Sequence, residues 1–242
     1  MSVIIGISHS HNGSVALISD GEVKSAIQGE RISRQKRKSL RFNSEMGVNS
    51  KVLKNDTKLT QDCINYCLDA SGFKHSDIEV IAISTPWKCH KVTNSELFKY
   101  IGGTPKKYTK TFYVPHHYAH MEYIAHYGDL KPGIILVIDG SGSLESDRSI
   151  FNIKEKYDSK ITNYTHFAGK EVVSAYWFDG FKSTLIYRFS PSISPAEDYN
   201  KDANRLNQSI GHYWRWGSSY CYGSPNEAGK VMGLAAFGKK DE

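Results

Sequence analysis

The chain has 242 residues, a formal net charge of +6, a pI near 9.0 and 39% hydrophobic residues, enough to bury one large core or two small ones. No apolar run approaches the ~18 residues that a membrane helix needs, and "MSVIIGISHS" lacks the basic stretch and small-residue cleavage site of a secretory signal. The cytoplasm is the expected compartment, and Cys63, Cys67, Cys89 and Cys221 are too few for a disulfide framework.

Residues 3–28 read as a β-meander of "VIIGIS", "GSVALIS" and "EVKSAIQ", with the Asp-Gly of "SDGE" marking a tight hairpin turn. The first loop, "HSHNG" at 9–13, is short, polar and closed by glycine. Much of the positive charge follows in "ERISRQKRKSLRF", residues 30–42, which is either a grip for phosphates or a solvated basic loop. Apolar positions at helical spacing predict a helix over 58–71 that stops before Gly72. Cys63 and Cys67 share one face of it and read as small buried hydrophobes. "IEVIAIST" at 78–85 reads as a central strand. A polar connection over 86–110 then leads to a short strand at "TFYV", a helix over 115–127 and a second buried strand, "GIILVIDG", at 133–140.

From 148 the pattern turns antiparallel again, with "RSIFNIKE" and "ITNYTHFAG" as a hairpin pair. Residues 170–200 are aromatic-rich, punctuated by proline and carry no periodicity that assigns them. A helix is expected over 202–221, followed by a Gly-rich turn and "EAGKVMGLAAFG" at 227–238. The alternation after the meander implies a mixed α/β sheet with helices packed on it.

Two clusters carry chemistry. In "VPHHYAHMEY" the four-residue spacing brings His116 and His120 onto one helix face with Cβ atoms ~5–6 Å apart. Such a pair either shares a cation or is an ordinary surface or core pair, and His117 points elsewhere. In "VIDGSGS" an aspartate, Asp139, ends a buried strand, and Gly140, Ser141 and Gly142 place backbone N–H groups where open α/β sheets bind ligands. The loop of Asn12, Gly13 and Ser14 is a second glycine-containing phosphate cradle. Two such loops, each at the start of a β-unit, describe the nucleotide cleft of the actin/sugar-kinase (ribonuclease-H-like) split sheet.

Taken together, "GISHSHNGSVALISDGEVKSAIQGERISRQKR", "PHHYAH" with "VIDGSGS" some twenty residues on, and "EAGKVMGLAAFG" resemble the O-carbamoyltransferases of nodulation-factor and antibiotic biosynthesis, over nearly the whole chain. The resemblance implies an amino-terminal domain similar to the universal tRNA threonylcarbamoyl-transferase. That domain binds ATP or carbamoyl-adenylate through a metal, usually iron, and a YrdC-type domain makes the adenylate from carbamoyl phosphate and ATP. Position by position it implies His116, His120 and Asp139 as metal ligands, a set suited to Fe²⁺ or Zn²⁺. His11 matches the family's first-loop histidine and is the expected proton acceptor from the acceptor hydroxyl, with His9 as competitor. Glu30, Arg31, Arg34 and Lys36 match its "EERxxRxK" run. Arg31 and Arg34 are expected on phosphate, Lys36 near the transferred group, and Lys230 on the acceptor or nucleotide cleft.

The sequence departs from the family at Gly29, which replaces an acidic residue, and in "HNGS", where the family shows His-Asp-Ser-Ala or similar. It also stops just past "GLAAFG", whereas family members continue through the rest of the sheet and the YrdC-like domain. The expectation is a split enzyme whose second chain supplies the remainder, with a fragment as the alternative. The acceptor is either a hydroxyl on a sugar or antibiotic-like molecule or a hydroxymethyl group on a base in DNA, and the basic segment favours the polyanion. The competing readings are a threonylcarbamoyl-transferase relative and a non-catalytic nucleic-acid-binding scaffold of the same fold.

Overall fold

A computed structural model describes residues 2–40, 50–85, 97–98, 101–104, 109–127, 130–144, 151, 153, 155–156, 163–165, 169–190 and 209–238, with backbone alone at 50–56 and 163–165. The chain packs as two compact units, 1–119 with 147–154, and 120–146 with 155–242.

The first unit holds a five-stranded sheet of order β3-β2-β1-β4-β5. Its strands are β1 (Val3–Ser8), β2 (Ser14–Ser19), β3 (Glu22–Gln28), β4 (Ile78–Ser84) and β5 (Lys110–Val114). β1, β2 and β3 form the expected antiparallel meander, while β4 pairs parallel with both β1 and β5, so β2 alone runs against its neighbours. This mixed sheet with a helix packed on it is the α/β class that the sequence implied. The tight turn takes the form that Asp-Gly favours, with φ of 52° at Asp20 and 81° at Gly21.

Strict alternation along β1 sends Val3, Ile5 and Ile7 to one face, and Val15 and Leu17 of β2 join them. That face is covered by α2 (Ser50–Ser71), a helix longer than the periodicity of 58–71 predicts. Its Leu59, Cys63, Ile64, Cys67 and Leu68 are buried at spacings of three to five, and each buried aliphatic side chain contributes ~1.5–3 kcal/mol. Both thiols behave as apolar groups. Burial pushes Cys63 up to about 12 and raises Cys67, whose Sγ lies 3.6 Å from the Val15 carbonyl oxygen. Gly72 ends the helix at φ 71°, and Phe73 N–H reaches back to Leu68 O at 3.0 Å. Leu97 and Ile101 enter the same core, so the connection over 86–110 is not wholly polar as expected; most of it lies outside the described residues.

The second unit holds a four-stranded sheet of order β6-β8-β9-β7. β6 (Gly133–Ile138) pairs antiparallel with β8 (Val173–Phe178), and β8 with β9 (Ser183–Phe189). The short β7 (Asn163–Thr165) runs parallel to β9; its expected hairpin partner at 148–155 lies mostly outside the described residues. The β8–β9 hairpin falls within the stretch that periodicity left unassigned. Asp179 closes it by accepting the N–H groups of Phe181 and Lys182 at 2.8 and 2.7 Å. The strand expected to be buried on both faces is not. Ile135 and Val137 of β6 are covered, whereas Ile134, Leu136 and Ile138, which alternation sends to the opposite face, are 65%, 57% and 45% exposed, so that face is left uncovered by the described residues.

Arg188 of β9 is fully buried between two carboxylates, Glu155 and Glu171. Burial lowers the pKa of its guanidinium, but Glu171 and Glu155 together outweigh that and hold it above its ordinary value. Two helices complete the unit, α4 (Ile210–Tyr222) and α5 (Ala228–Ala235); residues 202–208 of the expected longer helix lie outside the described residues. Among the described residues no helix is long and apolar enough to cross a membrane.

Candidate metal centre

Directly after β5, Pro115 ends the strand, and its carbonyl accepts Ala119 N–H at 2.9 Å to open α3 (His116–His126). Along α3 the residues His117, Met121 and Ala125 are buried at four-residue spacing, which fixes the rotation of the helix. His116 and His120, one turn apart, consequently share the adjoining, more open face. The third member comes from the end of β6, where Asp139 N–H donates to Val172 O at 3.0 Å and extends the β6–β8 ladder by one residue.

One ligand atom from each of His116, His120 and Asp139 lies within 4.8 Å of the other two. A divalent ion with bonds of ~2.0–2.2 Å draws its ligands to roughly 3.3 Å, so small side-chain rotations close the set. His120 is exposed and the other two half-buried, which leaves one side of the cluster open to a further ligand. Two imidazoles and a carboxylate are donors for a borderline divalent metal, so the residues fit the group that the family resemblance implied.

The peptide that carries Asp139 is held tightly. Gly140 N–H bonds the Asp139 carboxylate at 2.5 Å, and Ser209 Oγ donates to the carbonyls of Asp139 and Gly140 at 2.9 and 3.2 Å. The first turn of α4 presses on the same peptide. A Cβ on Gly211 would lie 2.4 Å from Gly140 N and 2.6 Å from the Asp139 carbonyl carbon, so only glycine fits there. The buried His212 ring approaches Gly140 from the same side. Sequence reasoning missed Ser209, Gly211, His212 and Glu171. The available signal was a glycine in the middle of the helix predicted over 202–221, where it costs stability unless a close approach demands it.

Most N–H groups of the Gly140–Gly142 turn point to protein acceptors rather than outward. Gly140 bonds Asp139, Gly142 bonds Glu171 O at 2.6 Å, and the following Ser143 N–H bonds the Glu171 carboxylate at 3.0 Å. The turn therefore offers fewer amides to a phosphate than the glycine pattern suggests.

In the first unit the structure joins two segments that the sequence treated separately. Gly13 N–H bonds Lys38 O at 3.2 Å, and Gly29 N–H bonds Gly13 O at 2.8 Å. A Cβ on Gly13 would lie 2.4 Å from Leu40 N, and Leu40 is fully buried. The basic segment is thus folded back against the loop bearing His11, Asn12 and Ser14, starting from the short helix α1 (Gly29–Ser33). Arg34 and Arg37 both adopt φ 58°, an uncommon conformation for residues other than glycine, and the Glu30 carboxylate accepts Arg37 N–H at 3.3 Å. His11, Arg31, Arg34 and Lys36 are exposed. Lys230 lies on α5, where Nζ is 2.8 Å from the Glu227 carboxylate and 5.6 Å from the centre of the Tyr222 ring.

Residues 3–242 match the family model described as carbamoyltransferase N-terminus. The chain belongs to that carbamoyltransferase family. It is 26% identical over 156 residues to the nodulation protein NolNO of Sinorhizobium fredii, an alignment covering 56% of this chain and 20% of that protein. The chain thus spans about a fifth of that relative's length. Two solved structures resemble it with TM-scores of 0.33 and 0.34: YeaZ from Pseudomonas aeruginosa, 11% identical, and an uncharacterized protein with similarity to peptidase YeaZ from the same organism, 12% identical. Each alignment covers 82% of this chain, and 72% and 71% of the respective structures. For a carbamoyltransferase chain, the convergence of His116, His120 and Asp139 is the feature with chemical content.

Proposed function

We propose that this chain is the metal-holding part of an ATP-dependent O-carbamoyltransferase, which moves a carbamoyl group from carbamoyl phosphate, by way of carbamoyl-adenylate, to an acceptor hydroxyl. The observation that carries this reading is the three-ligand cluster in a chain of the carbamoyltransferase family. His116, His120 and Asp139 hold the divalent metal, Fe²⁺ or Zn²⁺, which when bound screens the donor's phosphate charge. His11 takes the proton from the acceptor hydroxyl as its oxygen bonds the carbamoyl carbon and the bond to the adenylate phosphate breaks, releasing AMP. Arg31 and Arg34 present guanidinium donors for phosphate oxygens, Lys36 approaches the group in transfer, and Lys230 lines the acceptor or nucleotide side. Asn12, Gly13, Ser14 and the Gly140-Ser141-Gly142 turn shape the walls against which the donor rests.

Two further parts of the reading have support of their own. The charge of +6 and the exposed side chains of Arg31, Arg34, Lys36 and Arg37 favour a polyanionic acceptor, a hydroxymethylated base in DNA, over a sugar or antibiotic hydroxyl. DNA affinity that fails to fall steeply with salt removes that preference. The uncovered apolar strip of Ile134, Leu136 and Ile138, extended across the register by Trp177, suits coverage by the remainder of a longer carbamoyltransferase on a second chain.

The deciding experiment combines metal analysis with transfer of label from carbamoyl phosphate and ATP by the complex as purified from its native host. Wild type is expected to hold about one divalent metal per chain, and His116→Ala and His120→Ala to lose both metal and transfer. Full activity in His116→Ala points to the scaffold reading, and label accepted only from threonylcarbamoyl-adenylate points to the tRNA-modifying relative.

A further inference from the structure

Beneath the turn that follows Asp139 lies a buried ion pair that the transfer chemistry does not use. Glu171 and Arg188 have side chains 0% and 1% exposed, with Arg188 Nε 3.1 Å from Glu171 Oε2. Buried pairs of this kind contribute little net stability compared with apolar residues of the same volume, so their geometry matters more than their energy. The geometry is specific. Glu171 Oε1 accepts Ser143 N–H at 3.0 Å, its own N–H donates to Ser143 O at 3.1 Å, and its carbonyl accepts Gly142 N–H at 2.6 Å. One residue thus grips the turn in three places, and the next residue, Val172, accepts the N–H of Asp139 itself.

The far end of Arg188 is locked as well. Its Nη2 donates to Glu155 and, at 3.3 Å, to the Tyr176 hydroxyl, which itself donates to Glu155 at 2.6 Å. Ser174, opposite Arg188 in the hairpin register, lies 3.5 Å from Nε. The two carboxylates are therefore treated differently. The Tyr176 hydroxyl supports Glu155, whereas the backbone of the ligand-bearing turn supports Glu171.

We propose that Glu171, oriented by Arg188, is a positioning residue that fixes the Asp139 turn and thereby the affinity of the three-ligand site. The consequence for metal binding rests on the reading of Asp139 as a ligand; the clamp on the turn does not. Fixed outer partners of this kind are typically worth 10–100-fold in metal affinity.

The test compares Glu171→Ala with Glu155→Ala, which removes the other carboxylate on Arg188 but touches no part of the turn. Amide hydrogen exchange of residues 140–144 in the metal-free protein and titration with Co²⁺ alone are the two readouts. Glu171→Ala is expected to speed exchange at Ser143 by on the order of 100-fold and to weaken Co²⁺ binding by about 10–100-fold, while Glu155→Ala shifts each by less than about threefold. Should Glu171→Ala fail to fold, Glu171→Gln serves instead: it keeps an acceptor for Ser143 but loses the charge that Arg188 orients, and a weakening of several-fold is expected. Equal effects from the Glu171 and Glu155 substitutions, or no effect from either, overturn the proposal. A wild-type protein that takes no Co²⁺ sinks the metal reading, and exchange at Ser143 then decides the clamp by itself.

Discussion

Gly211→Ala tests how closely α4 and the Asp139 peptide are fitted. The added methyl would lie 2.4, 2.6 and 2.8 Å from Gly140 N, Asp139 C and Asp139 O, all backbone atoms that cannot rotate aside. Restoring an ordinary contact of ~3.5 Å requires the helix or the peptide to move by about 1 Å. Alanine gains at most ~1 kcal/mol of helix propensity over glycine, whereas overpacking against fixed backbone atoms falls at the upper end of its ~1–3 kcal/mol range, so the net expectation is a loss of about 2 kcal/mol. Urea unfolding reads this as a lower midpoint with unchanged slope, and Co²⁺ titration is expected to show an affinity at least about tenfold weaker. Gly233→Ala on α5, where nothing lies within 4 Å of the added carbon, is the control and is expected to gain up to ~1 kcal/mol. A Gly211→Ala protein as stable as wild type, with unchanged Co²⁺ affinity, refutes the close fit.

Asp139→Asn keeps the shape of the ligand and removes its charge; its metal content is expected to fall well below that of wild type, with a melting temperature in the metal-free state within a few degrees of it. Leu40→Ala empties a fully buried position and is expected to cost ~2–5 kcal/mol by denaturant unfolding, with earlier proteolysis at the basic segment it anchors. Because burial raises the folded pKa of Cys63 above its ordinary 9.0 to about 12, the thiol's contribution to stability is complete below pH 9 and lost as pH climbs from there towards 12, which a series of urea midpoints checks. At pH 8 iodoacetamide is expected to label exposed Cys221 at once, but Cys63 and Cys67 only on unfolding. For Asp179 the direction reverses: two backbone N–H groups lower its pKa, so the hairpin closure it provides is present above pH 3.8 and lost below, visible as faster exchange at Phe181 and Lys182 in acid.

The elements legible in the sequence are those whose local signal and tertiary environment agree. The meander over 3–28, the turn at Asp20-Gly21, β4 and α3 all show periodicity or turn chemistry that matches their surroundings. The pairing of His116 with His120 was legible for the same reason, since helical spacing puts both on one face, whereas their convergence with Asp139 was an expectation from the family resemblance. Three features were not. The β8–β9 hairpin is hidden because "VSAYWF" is apolar almost throughout and shows no alternation, although its inner and outer faces differ. The open face of β6 cannot be inferred, because "GIILVI" reads the same whether one side is covered or both. Arg188 and Glu171 look like surface residues by type, and only contacts distant in sequence bury them.

The fastening of the basic segment runs through main-chain atoms of Gly13, Gly29 and Lys38 and the inward-facing Leu40. None of these attachments uses the outward side chains of His11, Arg31, Arg34 or Lys36. Substitutions at those positions are accordingly expected to leave the frame that presents them as it is, so that any loss they cause reads on chemistry rather than on folding.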